Sequence, residues 1–263
     1  MWWSRVVLGA RIVAVVWAGL VGLLEVLTHY EIVKPSEKLA PTIWIISLLM
    51  IGLGSLGGII SEAVKNRFAA KSQKYDTALM SLLIELCRDG EVRFEDLGGS
   101  VYRAARWRRT VRHPDGSKGT RLVRVHRFRP SAYPAPSGIT WTDKTGAVGE
   151  CWSKHRPVPK NWHAVAAKYQ EPITATDFRG VSKATKNGFE LEEFNAIAGK
   201  YSELLAVPVW DPAHDDRQIG VLSVDRLYTE GDSFKAVLNL AASQRLISAT
   251  SATIGSILRP RGN

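Results

Sequence analysis

Residues 39–60 form a run of 22 amino acids without a charge. A helix crossing about 30 Å of hydrocarbon needs roughly 20 mostly apolar residues, because lipid offers backbone polar groups no outside partner. The run meets that length by itself and predicts a membrane span. Residues 6–27 supply a second apolar stretch, with Arg11 and Glu25 close enough to its ends to reach a headgroup layer. A cleaved signal peptide competes for this first stretch, but the apolar part is long and no small-x-small site follows closely.

Lys and Arg in the flanks orient such a pair. Arg5 and Arg11 open the first stretch and Lys65, Arg67, Lys71 and Lys74 follow the second, whereas residues 28–38 carry only Lys34 and Lys38, offset by Glu31 and Glu37. The positive-inside bias then places both termini in the cytoplasm of a bacterial inner membrane, next to its anionic inner leaflet. Small residues at Ala10, Ala14, Ala18 and Gly22, and at Gly54 and Gly58, suit close packing of the two spans as a hairpin. The expected organisation is a two-span hairpin over 1–60, a connecting helix over 61–90 and a cytoplasmic domain over 91–263.

Residues 61–88 contain no Gly or Pro, and Val64, Phe68, Tyr75, Leu79, Leu82 and Leu86 recur close to heptad spacing. That pattern predicts a helix packed either on its own domain or on a second copy as a homodimer. Gly90 ends it.

Charge is distributed unevenly along the rest. Between residues 100 and 130 there are ten Lys/Arg against the single acid Asp115, a balance of 10 − 1 = +9 in a chain whose total is +10. Two strand-like stretches, 101–112 and 120–129, flank the turn-forming residues 114–119, so this charge belongs to one hairpin. Three partners suit it: the anionic leaflet, an anionic ligand such as a nucleotide neutralised by Arg124 or Arg127, and nucleic acid, which a membrane tether disfavours. Val123 and Val125 share one face with Arg121 and Arg127, so the alternation is mixed and does not say which arginines face a pocket.

Further strands are expected at 138–142, 204–210 and 219–225, with helices over 191–203 and 234–258. Strands between flanking helices predict an α+β fold with a central antiparallel sheet. Gly146 and Gly149 mark a turn or a close backbone approach, and Pro208 marks an edge or bulge position in its strand.

These segments resemble the GAF domain family. Gly146-Ala147-Val148-Gly149 followed by His155-Arg156-Pro157-Val158, then residues 202–209 with Ser202, Leu204 and Pro208, then Ile219-Gly220-Val221-Leu222-Ser223-Val224-Asp225, with Phe234 before the last helix, resemble the family's ordered segments. The resemblance implies a small-molecule sensor with Trp141, Tyr201, Ser202 and Val207 near the ligand. Arg124 and Arg127 are added from the charge argument.

Catalytic signatures are missing from the sequence. The Asn-Lys-Phe-Asp-Glu set of cyclic-nucleotide-binding members is reversed and incomplete at Lys186-Asn187-Gly188-Phe189-Glu190, and Cys151 has no second cysteine beyond it for a redox cycle. The histidines show no metal-ligand spacing. No enzyme activity and no cofactor is expected. The functional expectation is a membrane-anchored sensor that binds a small molecule and relays the signal to a partner or to its spans. A nucleotide-triggered effector that disrupts the bilayer and a GAF-like scaffold are the alternatives.

Overall fold

The computed structural model describes residues 2–30, 39–105, 110–113, 116–131, 133–231 and 234–259. The chain divides into two compact units, residues 1–70 and 71–263.

The first unit holds helix α1 (Trp2–His29) and the start of helix α2 (Leu39–Gly90), where Trp17 Nε1 donates to Ser47 Oγ at 3.0 Å. Among the described residues, no helix is long and apolar enough to cross a membrane. This overturns the two-span hairpin and, with it, the inner-membrane placement with both termini in the cytoplasm. In α1, charged Arg5, Arg11 and Glu25 and small Gly9, Gly19 and Gly22 lower the gain of transfer into hydrocarbon. In α2, the apolar run is the first part of a helix 52 residues long that continues into charged residues. The connection over 31–38 lies outside the described residues.

The second unit is α+β. A 3₁₀ turn at Phe94–Asp96 leads into β1 (Leu97–Ala104), followed by the short ribbon β2 (Thr110–Arg112) and β3 (Lys118–Thr120), then β4 (Leu122–Phe128). Helix α3 (Gly146–Lys154) and strand β5 (Val158–Asn161) precede four short helices: α4 (His163–Lys168), α5 (Ala175–Gly180), α6 (Lys183–Lys186) and α7 (Leu191–Ile197). The long strands β6 (Tyr201–Asp211) and β7 (His214–Leu227) and helix α8 (Ala241–Leu258) complete it. Five strands form one antiparallel sheet in the order β4-β1-β7-β6-β5.

Side-chain alternation gives the sheet two different faces. On one, Leu97, Val101, Leu205, Val207, Val209, Leu222 and Val224 pack with Tyr75, Leu79, Leu82, Leu83 and Leu86 of α2 and Ile247, Ile254 and Leu258 of α8. Thus the α2 seam from Tyr75 onward packs on its own domain, while Val64 and Phe68 are exposed. The opposite face carries α3 and the short helices, with Phe194 fully buried among them.

Local choices differ from expectation where tertiary pairing competes with helical pattern. The helix expected to reach residue 203 stops at Ile197, and the one expected from residue 234 starts at Ala241. Glu203 accounts for both: drawn into β6, its buried carboxylate accepts hydrogen bonds from Val237 N at 2.9 Å and Asn239 N at 3.1 Å, holding that loop out of α8. The segment 138–142 makes one isolated bridge, Arg121 to Thr142, rather than a strand. Gly146 has φ +63°, and a Cβ on Gly149 would lie 2.4 Å from the Thr142 carbonyl oxygen, so both glycines serve a tight crossing at the start of α3. Pro208 sits where β6 has outrun β5, whose last partner is Ala206, so its missing N–H leaves no ladder bond unmade on that side.

Candidate functional site

A cleft opens on the face of the sheet away from α2 and α8. Its cavity volume is about 50 Å³, within about 650 Å³ of empty space that includes open solvent. The floor is polar: Ser100 of β1 and Ser223 and Asp225 of β7 are all buried at adjacent register positions. The wall is aromatic. Trp141 meets Tyr102 edge-on at 5.2 Å and Phe189 at 6.0 Å, and Trp162 meets Phe189 at 6.0 Å.

Positive charge is brought in by a bulge in β4. Tyr102 pairs with Arg124 and Val101 with His126, so one step along β1 spans two along β4 and Val125 is the extra residue. In an unbroken strand Arg124 and Arg127, three apart, would point to opposite faces. The bulge resets the alternation. Both arginines line the cleft, while Val125 packs into the core and His126 meets helix α2. Arg127 also donates to the Pro134 carbonyl.

Behind the cleft, the side chain of Arg129 is almost wholly buried, bonded to Asp225 and 5.8 Å from the centre of the Tyr201 ring. Burial lowers the pKa of its guanidinium to about 10. Lys160 of β5 reaches the mouth and pairs with Glu150 at 2.6 Å. Burial pushes the Glu150 carboxyl up, but Lys154 and Lys160 together outweigh it and hold it below its usual value. Burial also pushes the Tyr102 hydroxyl up, against the opposing charge of Arg124.

The aromatic wall is held by backbone bonds and caps. Leu122 N donates to Trp141 O at 2.9 Å and Asp143 N to Thr120 O at 3.0 Å, while His113 and Asp143 side chains meet at 2.9 Å. Capping boxes at Thr174/Asp177 and Glu190/Glu193 start α5 and α7, and the Ser182 side chain caps α6. Asn187 ends α6 with φ +47° and lines the cleft, and its buried Nδ2 has no hydrogen-bond partner.

Four of the six residues expected near a ligand, Trp141, Tyr201, Arg124 and Arg127, line this cleft. Ser202 and Val207 do not. Ser202 Oγ donates to the Leu227 carbonyl at 2.9 Å, and Val207 points into the opposite face, as period-two alternation from Leu204 and Ala206 requires. Tyr102, Trp162, Phe189, Asn187, Lys160 and Asp225 also line the cleft. Asp225 and Phe189 stood within the quoted sequence segments, but nothing in their spacing marked them as neighbours. Of the dense basic cluster, Arg106, Trp107, Arg108 and Arg109 lie outside the described residues.

Cys151 packs behind the cleft, and burial pushes its thiol up to about 12, so it stays protonated at neutral pH. Among the described residues, no group of three or more His, Cys, Asp or Glu is placed to hold a metal ion.

No family model matches the chain, and no curated protein matches it. Similar solved structures include a GAF domain region from Geobacter sulfurreducens, at 15% identity and TM-score 0.38 over 74% of this chain and 95% of that one. The reduced form of fRMsr of Staphylococcus aureus is similar at 14% identity and TM-score 0.35 over 73% and 95%. The GAF domain of a two-component sensor histidine kinase from Bacillus halodurans is similar at 9% identity and TM-score 0.37 over 68% and 91%.

Proposed function

We propose that the second unit is a sensor: its cleft takes a small anionic molecule, and occupancy is relayed to helix α2 and from there to a partner protein. The observation that carries this reading is the bulge at Val125. It puts Arg124 and Arg127 on the cleft while the two residues between them reach the other side of the sheet. There His126 Nε2 meets Asp76 Oδ1 at 2.8 Å and its ring stacks on Tyr75 at 5.1 Å, both on α2. An anion that draws the two arginines together moves the same short segment that touches the helix. A ligand shifts such an equilibrium only by its difference in affinity for the two states, and the arginine contacts would supply that difference.

The ordered segments that resemble the GAF family agree with a binding role, and a nucleotide is one anion that would suit. Binding rather than chemistry is supported by the protonated, buried state of Cys151. The test is a thermal-shift screen of the full chain with nucleotides, amino acids and aromatic acids. A ligand at 100 times its dissociation constant adds about 2.7 kcal/mol of stability. Hydrogen exchange of residues 71–90 should slow on binding. The reading fails if no compound stabilises the chain, and the relay fails if a stabilising compound leaves exchange of that helix unchanged.

A further inference from the structure

We infer that the ligand of this cleft is an aromatic carboxylate that carries a hydrogen-bond acceptor on its ring. The inference rests on the sensor reading and names the chemical class that the cleft selects.

Charge decides the first part. Asp225 is neutralised by Arg129 and Lys160 is paired with Glu150, whereas neither Arg124 nor Arg127 forms an ion pair among the described residues. Two cations lining one cleft without a counter-charge favour an anion there, and a carboxylate has two oxygens to accept from them. Shape decides the second. Trp141, Phe189 and Trp162 meet edge to face in succession, leaving flat surfaces for a planar group rather than a rounded aliphatic one. The orphaned Nδ2 of Asn187 decides the third. A buried donor without a partner is costly, and a ring acceptor beside it would satisfy it.

Isothermal titration of the full chain with five probes tests this: pyridine-3-carboxylate, benzoate, pyridine-3-carboxamide, cyclohexanecarboxylate and guanosine monophosphate. Pyridine-3-carboxylate should bind most tightly. Benzoate, which lacks the ring acceptor, should be several-fold weaker, and the uncharged and non-planar probes at least about tenfold weaker, the scale of one charge-assisted hydrogen bond. Arg127→Gln should weaken both aromatic carboxylates about tenfold or more while leaving the carboxamide unchanged. Asn187→Gly, which keeps the left-handed backbone, should abolish the preference for pyridine-3-carboxylate over benzoate. A melting curve for each variant confirms folding, and Arg127→Lys, which retains the charge, should recover part of the affinity. Equal binding of the carboxamide or cyclohexanecarboxylate, or tighter binding of the nucleotide, overturns the inference and leaves the sensor reading standing. If none of the five binds but other compounds in the wider screen do, the class is again wrong. If nothing binds in either, both fall.

Discussion

The two faces of the central sheet are built from alternate residues of the same strands, yet they differ in almost every property. The face toward α2 and α8 is apolar and closed, with Leu79, Leu205, Leu222, Val224, Ile247 and Ile254 fully buried. The face toward the short helices holds Ser100, Ser223, Asp225, Arg124 and Arg127 around an open cleft. The first gains stability from area removed from water, about 25 cal/mol per Å². The second forgoes part of that gain to keep polar groups available. A single strand that must serve both needs strict alternation, and β4 departs from it at the one place where two charges are wanted together.

Asp225→Asn is the strongest attempt to break this division, because Asp225 lies on the cleft face and is expected to matter for folding as well. It leaves the buried Arg129 cation without its counter-charge, and such a loss costs about 3–5 kcal/mol. Denaturant unfolding should show it. A change below about 1 kcal/mol would mean that the ion pair is solvated and the cleft face contributes little to stability.

Leu79→Ala against Arg127→Gln sharpens the contrast. The first truncates a fully buried side chain of the closed face and should cost about 2–5 kcal/mol. The second, on a partly exposed arginine, should stay within about 0.5 kcal/mol while weakening binding of anions. Equal stability losses would erase the distinction.

The smallest expected effect is alkaline and has a contributor on each face. Burial raises Cys151, behind the cleft, from its usual 9 to about 12, and Tyr75, on the closed face, from 10 to about 12 despite the nearby charge of Arg103. In both cases the unfolded chain releases its proton first. Stability is therefore full below about pH 9, declines as the unfolded groups ionise, and is lost progressively as pH rises through the folded values near 12. Tyr75→Phe should flatten the upper part of a stability profile measured from pH 8 to 11. An unchanged slope would show that the hydroxyl ionises without unfolding.

Much of this architecture was legible in the pattern of residues. The largely apolar runs 204–210 and 219–225 are the inner strands β6 and β7, because only a sheet covered on both sides tolerates them. The paired basic stretches are adjacent strands β1 and β4, although a separate ribbon, β2 with β3, forms their turn. The apolar length of 39–60, by contrast, suggested a membrane span, whereas among the described residues no helix is long and apolar enough to cross a membrane. Helix ends at 197 and 241 were hidden because a buried carboxylate 34 positions from its acceptor-bound Val237 N–H decides them.

Local chemistry thus determined by itself that this chain has an α+β domain, where its central strands run, that its charge is concentrated between residues 100 and 130, and that Arg124 and Arg127 were worth attention, while the family resemblance added Trp141 and Tyr201. Only the tertiary structure decided which of them meet. The side-chain period of a strand is two, so one extra residue at Val125 reverses every later position, and no count along the chain reveals a bulge that exists only in the pairing of β4 with β1.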